Sequence, residues 1–333
     1  QVLSEEEAAK LAGERWRPVE GAAGTPLRVP RVGTLQKLMD KHEAFLNRLS
    51  ADGFKPVPPL TAFDTVGYRR DTDPAGRAVA AFKITAADPD HPNPAFDAPR
   101  RAAHVAAWVR HATGHVSAGW PFEADTPVAA FAHGHGPDGR PLRGDRADDR
   151  FMYLPLPSIE HRGERGGHVG AIRRVLVAAP PAFRDRVEWV RRRLAGRELV
   201  TEDQQVRGVL ADLPESDWVL RQYVGSSAVW STVTPVVWPG HDDHDPRKAE
   251  RVLRKAFVDA GLSQAVVDGI AELAWRNVGF RPGVELASRY ELPATLGGRR
   301  YHVRVRFRHP ISGPLAVGAG RYRGVGVFAA EGS

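Results

Sequence analysis

The chain has 333 residues and no cysteine, which excludes disulfides, thiolate catalysis, iron–sulfur clusters and cysteine-ligated zinc. Its 42% hydrophobic and 26% charged residues are ordinary for a globular protein and too apolar for a disordered one. The formal charge of +7 is unevenly placed: from Arg281 onward nine arginines face three glutamates, so 53 residues carry +6 and the other 280 carry +1. Such clustering favours a polyanion as partner, most simply a nucleic acid. No apolar run reaches the roughly 20 residues of a membrane span, and the acidic start QVLSEEEAAKLAGERW lacks the apolar centre of a signal peptide. A cytoplasmic protein with no membrane partner is expected.

In chain order, residues 1–75 read as an appendage or linker. Within it Leu35, Leu38, Met39, Phe45 and Leu46 fit one face of a helix. From 76 to 215 the pattern is strand (AVAAFKITA), long helix (RRAAHVAAWVRHATGHVSAGW), a Gly/Pro/Asp-rich loop, two strands (FMYLPLPSI and HVGAIRRVLVAAP) and a helix (APPAFRDRVEWVRRRLAG). That is most of a βαββαβ unit. From 216 to 333 it begins again with VWSTVTPVVW, an amphipathic helix DPRKAERVLRKAFVDAGL with Asp245 as cap, and the alternating strand YHVRVRFRH. The predicted class is α+β, with tandem ferredoxin-like (RRM-like) folds.

Two features point to nucleic acid. Along YHVRVRFRH, Tyr301, Val303, Val305 and Phe307 share one side, while His302, Arg304, Arg306 and Arg308 share the other. The even side is read as a track for a phosphate backbone, because three arginines in register repel one another without an anion. Immediately afterwards, Gly318, Gly320, Gly324 and Gly326 surround Arg321, Tyr322 and Arg323. Glycines there let backbone amides approach phosphate oxygens, the arginines add charge, and Tyr322 is expected to stack on a base. The segment is no Walker loop, since the lysine and its hydroxyl neighbour are missing.

The segment HGHGPDGRPLRGDRADDRFMYLPLPSIEH, the WSTVTPVVW strand with its following helix, and the ending VRVRFRHPISGPLAVGAGRYRGVGVF together resemble the fused repeat-RNA-processing protein of type I-G (formerly I-U) CRISPR systems, a member of the RAMP superfamily. The resemblance runs from about Leu27 to Phe328. It implies binding of the CRISPR RNA repeat hairpin, metal-independent endoribonuclease activity on the precursor, and association with the other subunits of the type I-G surveillance complex. Family members also carry an N-terminal half that resembles the subunit capping the RNA's 5′ handle. That half is not evident here, so the sequence is expected to be part of a longer fusion.

Metal-free RNA cleavage needs a base for the 2′-hydroxyl proton, an acid for the leaving oxygen and cations for the phosphorane. Histidine suits the first two roles and arginine the third. His135 is the first candidate for the base: the family's segment reads Ser-Gly-His-x-x-x-Gly-x-Pro, and Gly134-His135 with Gly139-Arg140-Pro141 matches it. His133 stands where the family has serine. His161, just after LPLPSI, falls where the family tends to have histidine. No cofactor or metal is expected. His111 and His115 share a helix face, but no HExxH glutamate or evident third ligand accompanies them. The run His241-Asp242-Asp243-His244-Asp245 reads as a solvated loop whose last residue caps a helix, its use by a metal-dependent phosphodiesterase being the alternative. A second alternative is an RNA-binding subunit that does not cleave.

Overall fold

A computed structural model describes residues 15–19, 25–50, 53–57, 59–70, 76–116, 118–125, 127–136, 138–142, 147–160, 167–241 and 245–331. The chain divides into two units, Gln1–Asp73 and Pro74–Ser333, and each is described by itself.

In the first unit, β1 (Trp16–Val19), β2 (Thr25–Pro30) and β5 (Phe63–Arg70) form an antiparallel sheet in the order β1-β5-β2, and β3 (Leu49–Ser50) pairs with β4 (Gly53–Phe54). These strands are not predicted from sequence because prolines 18, 26 and 30 interrupt any clear alternation. Helix α1 (Thr34–Leu46) forms where the apolar spacing predicts it. Leu35, Leu38, Met39, Phe45 and Leu46 nevertheless remain 48–72% exposed, so the spacing marks a helix without supplying a core for its face.

The second unit begins with β6 (Ala78–Thr85), α2 (Ala98–His115), the short α3 (Val128–His133), β7 (Met152–Glu160), β8 (His168–Ala179), α4 (Arg184–Leu194), β9 (Glu198–Val200) and β10 (Val206–Asp212). Its sheet runs β7-β8-β6-β10-β9 with antiparallel pairings throughout. Setting aside β9, which extends the edge, the strands of the βαββαβ unit stand in the order 2-3-1-4, the ferredoxin-like arrangement. Asp97 starts α2 by accepting a hydrogen bond from the Arg100 amide at 3.2 Å, with proline in the first turn. The helix then buries Ala102, Val105, Ala106 and Val109 against Phe82, Ile84, Val175 and Val177 of the sheet, joined by Val187, Val190 and Leu194 of α4.

After α5 (Trp218–Val224), the same order recurs. The elements are β11 (Ser226–Thr232), β12 (Val236–Val237), α6 (Pro246–Asp259), α7 (Gln264–Asp268), β13 (Ile270–Arg276), β14 (Arg300–Ser312) and β15 (Phe328–Ala330). The sheet is β13-β14-β11-β15, with β12 pairing the start of β14. Asp245 caps α6 as predicted, accepting from the Arg247 amide at 2.9 Å. Val303, Val305 and Phe307 are at most 3% exposed and pack with Leu253, Phe257 and Phe328, so the predicted strand register holds. The protein is therefore an α+β protein with tandem ferredoxin-like folds. Among the described residues no helix is long and apolar enough to cross a membrane.

The second repeat departs from the pattern at one place. Between β14 and β15, residues 313–327 form turns instead of a second helix. This is the Gly-rich segment, and it packs onto the first repeat: Val325 belongs to that repeat's core. Gly324 has φ +80°, and a β-carbon there would lie 2.7 Å from both the Ala102 carbonyl oxygen and the Ala106 β-carbon.

Gly324→Val should thus separate the turn from α2 and lower the melting temperature by several degrees, since a β-branched residue fits neither the dihedral nor the space. An unchanged thermal transition would refute this packing. A second expectation concerns His302, fully buried on β14, whose Nε2–H donates to the Glu285 carbonyl at 2.9 Å while Nδ1 meets Thr232 Oγ1 at 3.1 Å. Burial holds its pKa down at about 4, against an ordinary 6.5. Between those values the unfolded chain binds a proton that the native chain refuses, so stability should fall as pH drops through the window, by up to about 1.4 kcal/mol per pH unit. Urea midpoints measured from pH 7 to 4 should show this slope in the wild type and a shallower one in His302→Gln.

Candidate nucleic-acid interface

The predicted arginine row on β14 is not bare. Arg304 Nε lies 2.8 Å from Glu331 and its Nη1 3.6 Å from Glu272, and Arg306 Nε lies 3.1 Å from Glu272. His302 is covered by the chain at Glu285. Arg308 alone of the three arginines is exposed, Arg304 and Arg306 being half-buried. Two neighbouring glutamates, distant from the strand in sequence, thus neutralise the repulsion between Arg304 and Arg306, so that repulsion does not itself call for an anion.

The glycines too are engaged within the protein. Gly318, Gly320, Gly324 and Gly326 are all buried. The backbone amides of Ala319, Arg321, Arg323 and Val325 donate to carbonyl oxygens of Val237, Gly318 and Gly320. Their lack of side chains lets protein pack against protein. Tyr322 is likewise occupied: the Arg150 and Arg321 guanidiniums stand over its ring at 4.0 and 4.5 Å from the centroid, where a base was expected to stack. Its hydroxyl donates to Asp148 Oδ1 at 2.5 Å, and burial pushes its pKa up to about 12.

What converges instead is a group of cations around this tyrosine. Helix α3 ends at His133, and Gly134 turns the chain with φ +71°. A β-carbon on Gly134 would overlap the Arg150 guanidinium, at 1.8 Å from Cζ, so only glycine lets the arginine cross the turn. Arg150 donates to the His133 carbonyl at 3.2 Å and more weakly to that of Gly134. Arg323 donates to Thr295 Oγ1 at 2.9 Å. Asp148 is the nearby acid, and Tyr322 and Arg77 (2.6 Å) already take its two oxygens.

Among the described residues, Arg110, Arg150, Arg321 and Arg323 have no carboxylate within ion-pairing distance. The Nε atoms of Arg150 and Arg321 are buried without a hydrogen-bond partner. Burial lowers the pKa of Arg150, with Arg321 and Arg323 contributing, and burial followed by Arg110 does the same for Arg323. A desolvated, mutually repulsive set of guanidiniums is unfavourable alone and is stabilised by an anion.

His133 lies at the edge of this group. Its ring sits over Gly114 of α2, and its pKa is lowered first by burial, then by Arg110, His135, His111 and Arg150. His135 follows two residues later, half-buried, in a bridge with Pro141. His133 thus meets Arg150, which in turn meets Arg321 and Arg323, while the arginines of β14 pair with glutamates elsewhere. His161 lies outside the described residues, as do Asp242, Asp243 and His244. Among the described residues, no three histidine or acidic side chains are grouped to hold a metal.

Arg110 and Arg150 were not singled out from sequence. Arg110 falls in an ordinary amphipathic helix and Arg150 in the charged run DRADDR, and neither carries a local signal. Next to the cations, a cleft of about 820 Å³ is lined by His104 and Arg110 of α2, residues 288–294, Arg300 and Arg323.

Comparison with known proteins gives the context. A search of curated proteins returns no match. A solved structure described as a Cas6 product complex is similar over 77% of this chain and 99% of that one, at 13% identity and a TM-score of 0.36. The family model of the "CRISPR-associated protein, GSU0054 family" matches residues 1–330. The chain therefore belongs to the GSU0054 family of CRISPR-associated proteins.

Proposed function

We propose that this protein is a metal-independent endoribonuclease that cleaves precursor CRISPR RNA at the repeat hairpin and keeps the product bound within a type I-G surveillance complex. The observation that carries the reading is the cluster Arg110, Arg150, Arg321 and Arg323, without carboxylate partners, abutting His133, with His135 two residues farther on. Family membership supplies the CRISPR context. The histidines supply groups that exchange protons near neutral pH.

In this reading the scissile phosphate lies against the guanidiniums. The 2′-hydroxyl oxygen attacks phosphorus as a base removes its proton, the bond to the 5′-oxygen breaks, and an acid protonates that oxygen. The products are a 2′,3′-cyclic phosphate and a 5′-hydroxyl. His133 suits the base, because burial and then the neighbouring cations disfavour its protonated form. His135 then takes the acid's role, a reassignment of the expectation that put His135 first as base. His161 remains a proposed second acid or RNA contact. Arg308 extends the RNA surface on β14, and Arg304 and Arg306 contribute there only as their glutamates yield.

Single-turnover cleavage of the cognate repeat should fall roughly 100-fold or more in His133→Ala and in His135→Ala, the usual scale for losing acid–base catalysis, while hairpin affinity changes little. The rate should persist in EDTA. A substrate with a 2′-deoxy sugar at the scissile position should bind and remain uncut. The rate should also decline on acidification, with a midpoint below 6.5 that His133→Ala removes. Full activity in both variants, or cleavage of the deoxy substrate, would refute the mechanism; hairpin binding with no cleavage by the wild type would identify a binding subunit.

Replacing Arg150, or Arg321 with Arg323, by alanine should weaken hairpin binding several-fold and reduce the salt slope by roughly 0.7–0.9 for each RNA phosphate that is no longer neutralised. Arg191 and Arg192, paired with Glu188 and Asp212, provide a charge-matched control that should change affinity much less. Equal weakening in the two pairs would remove the site from this location.

A further inference from the structure

His111 and His115 occupy the last turns of α2 on an exposed face, and no step of the proposed cleavage uses them. Their Nε2 atoms converge to 2.9 Å, and the rings stand edge to face with centroids 4.3 Å apart. In this structure they form a hydrogen-bonded pair, one Nε2–H donating to the other Nε2.

We propose that His111 and His115 form a two-imidazole chelate for a divalent transition ion of the zinc class. An ion about 2.05 Å from each nitrogen would subtend about 90° at their present separation, and an opening of a few tenths of an ångström reaches the tetrahedral angle. Both Nε2 atoms already lie within reach of one ion, so chelation requires only that the rings turn from each other toward it and that each ring's proton sit on Nδ1. The i, i+4 spacing supplies the shared helix face, and imidazole suits zinc, copper and nickel over magnesium or calcium.

Two surroundings bear on occupancy. The site lies at the carbonyl end of α2, where the helix favours a cation. It opens onto a groove of about 390 Å³ lined also by Arg197, Glu198 and Gln204. Arg197 opposes the ion and Glu198 favours it. With no third imidazole or carboxylate grouped there among the described residues, water fills the remaining positions. The sequence spacing shows only that the histidines share a face; their convergence is the added observation.

The test is calorimetric titration of the full chain with Zn²⁺, joined by electron paramagnetic resonance of Cu²⁺ added at one equivalent. The expected result is one site whose affinity falls at least about ten-fold in both His111→Gln and His115→Gln, since even the removal of an outer-shell partner of a ligand has an effect on that scale. His133→Gln should bind as the wild type does, and the copper spectrum should show two imidazole nitrogens that both ligand variants reduce to one. Circular dichroism of the variants establishes that α2 remains folded. Equal Zn²⁺ affinity in all four proteins, or weakening confined to His133→Gln, would overturn the assignment.

Discussion

The docking of the Gly-rich turn onto α2 governs the second unit. It occupies the position of the second helix in the second repeat, and it reaches the first repeat's core through Val325. The approach is tight because Gly324 has no side chain to separate the turn from Ala102 and Ala106. Tyr322 is drawn in behind it, and its hydroxyl reaches Asp148 across 174 residues of sequence. Arg77 completes the join by bonding both Asp148 and the Ala260 carbonyl.

This docking also creates the candidate site. Arg321 and Arg323 flank the tyrosine that enters the junction, so they arrive beside Arg110 of α2 and Arg150 ahead of β7. Burial removes much of the water that would screen Arg150 and Arg323, and Asp148, the nearby carboxylate, is already taken by Tyr322 and Arg77. An uncompensated cluster of this kind lowers native stability and favours an anionic ligand. The contrast with β14 is informative: Arg304 and Arg306 have glutamate partners and belong to a stabilised surface, although they looked more conspicuous in the sequence.

The same junction distinguishes the histidines. His302 is enclosed by Thr232 and Glu285 and serves the fold. His133 ends a short helix at the edge of the cationic cluster, where burial and then neighbouring positive charges disfavour its protonated form. His111 and His115 lie farther along α2, paired with each other. Residue type is shared by all of them, and the difference lies in which charges and carbonyl groups each one meets.

By itself, the sequence determined what depends on neighbours along the chain. The alternation in YHVRVRFRH settles which side of β14 is buried, Asp245 followed by proline starts α6 as predicted, and recurring strand and helix periods give the tandem α+β pattern. The clustered charge already favours a polyanion. Tertiary structure alone decided that Glu272 and Glu331 neutralise the β14 arginines, that the four glycines serve packing, and that Arg110 and Arg150 join Arg321 and Arg323. The physical reason is range: periodicity and caps arise from backbone geometry over a few residues, whereas the electrostatics of a site arise from side chains brought together across more than a hundred.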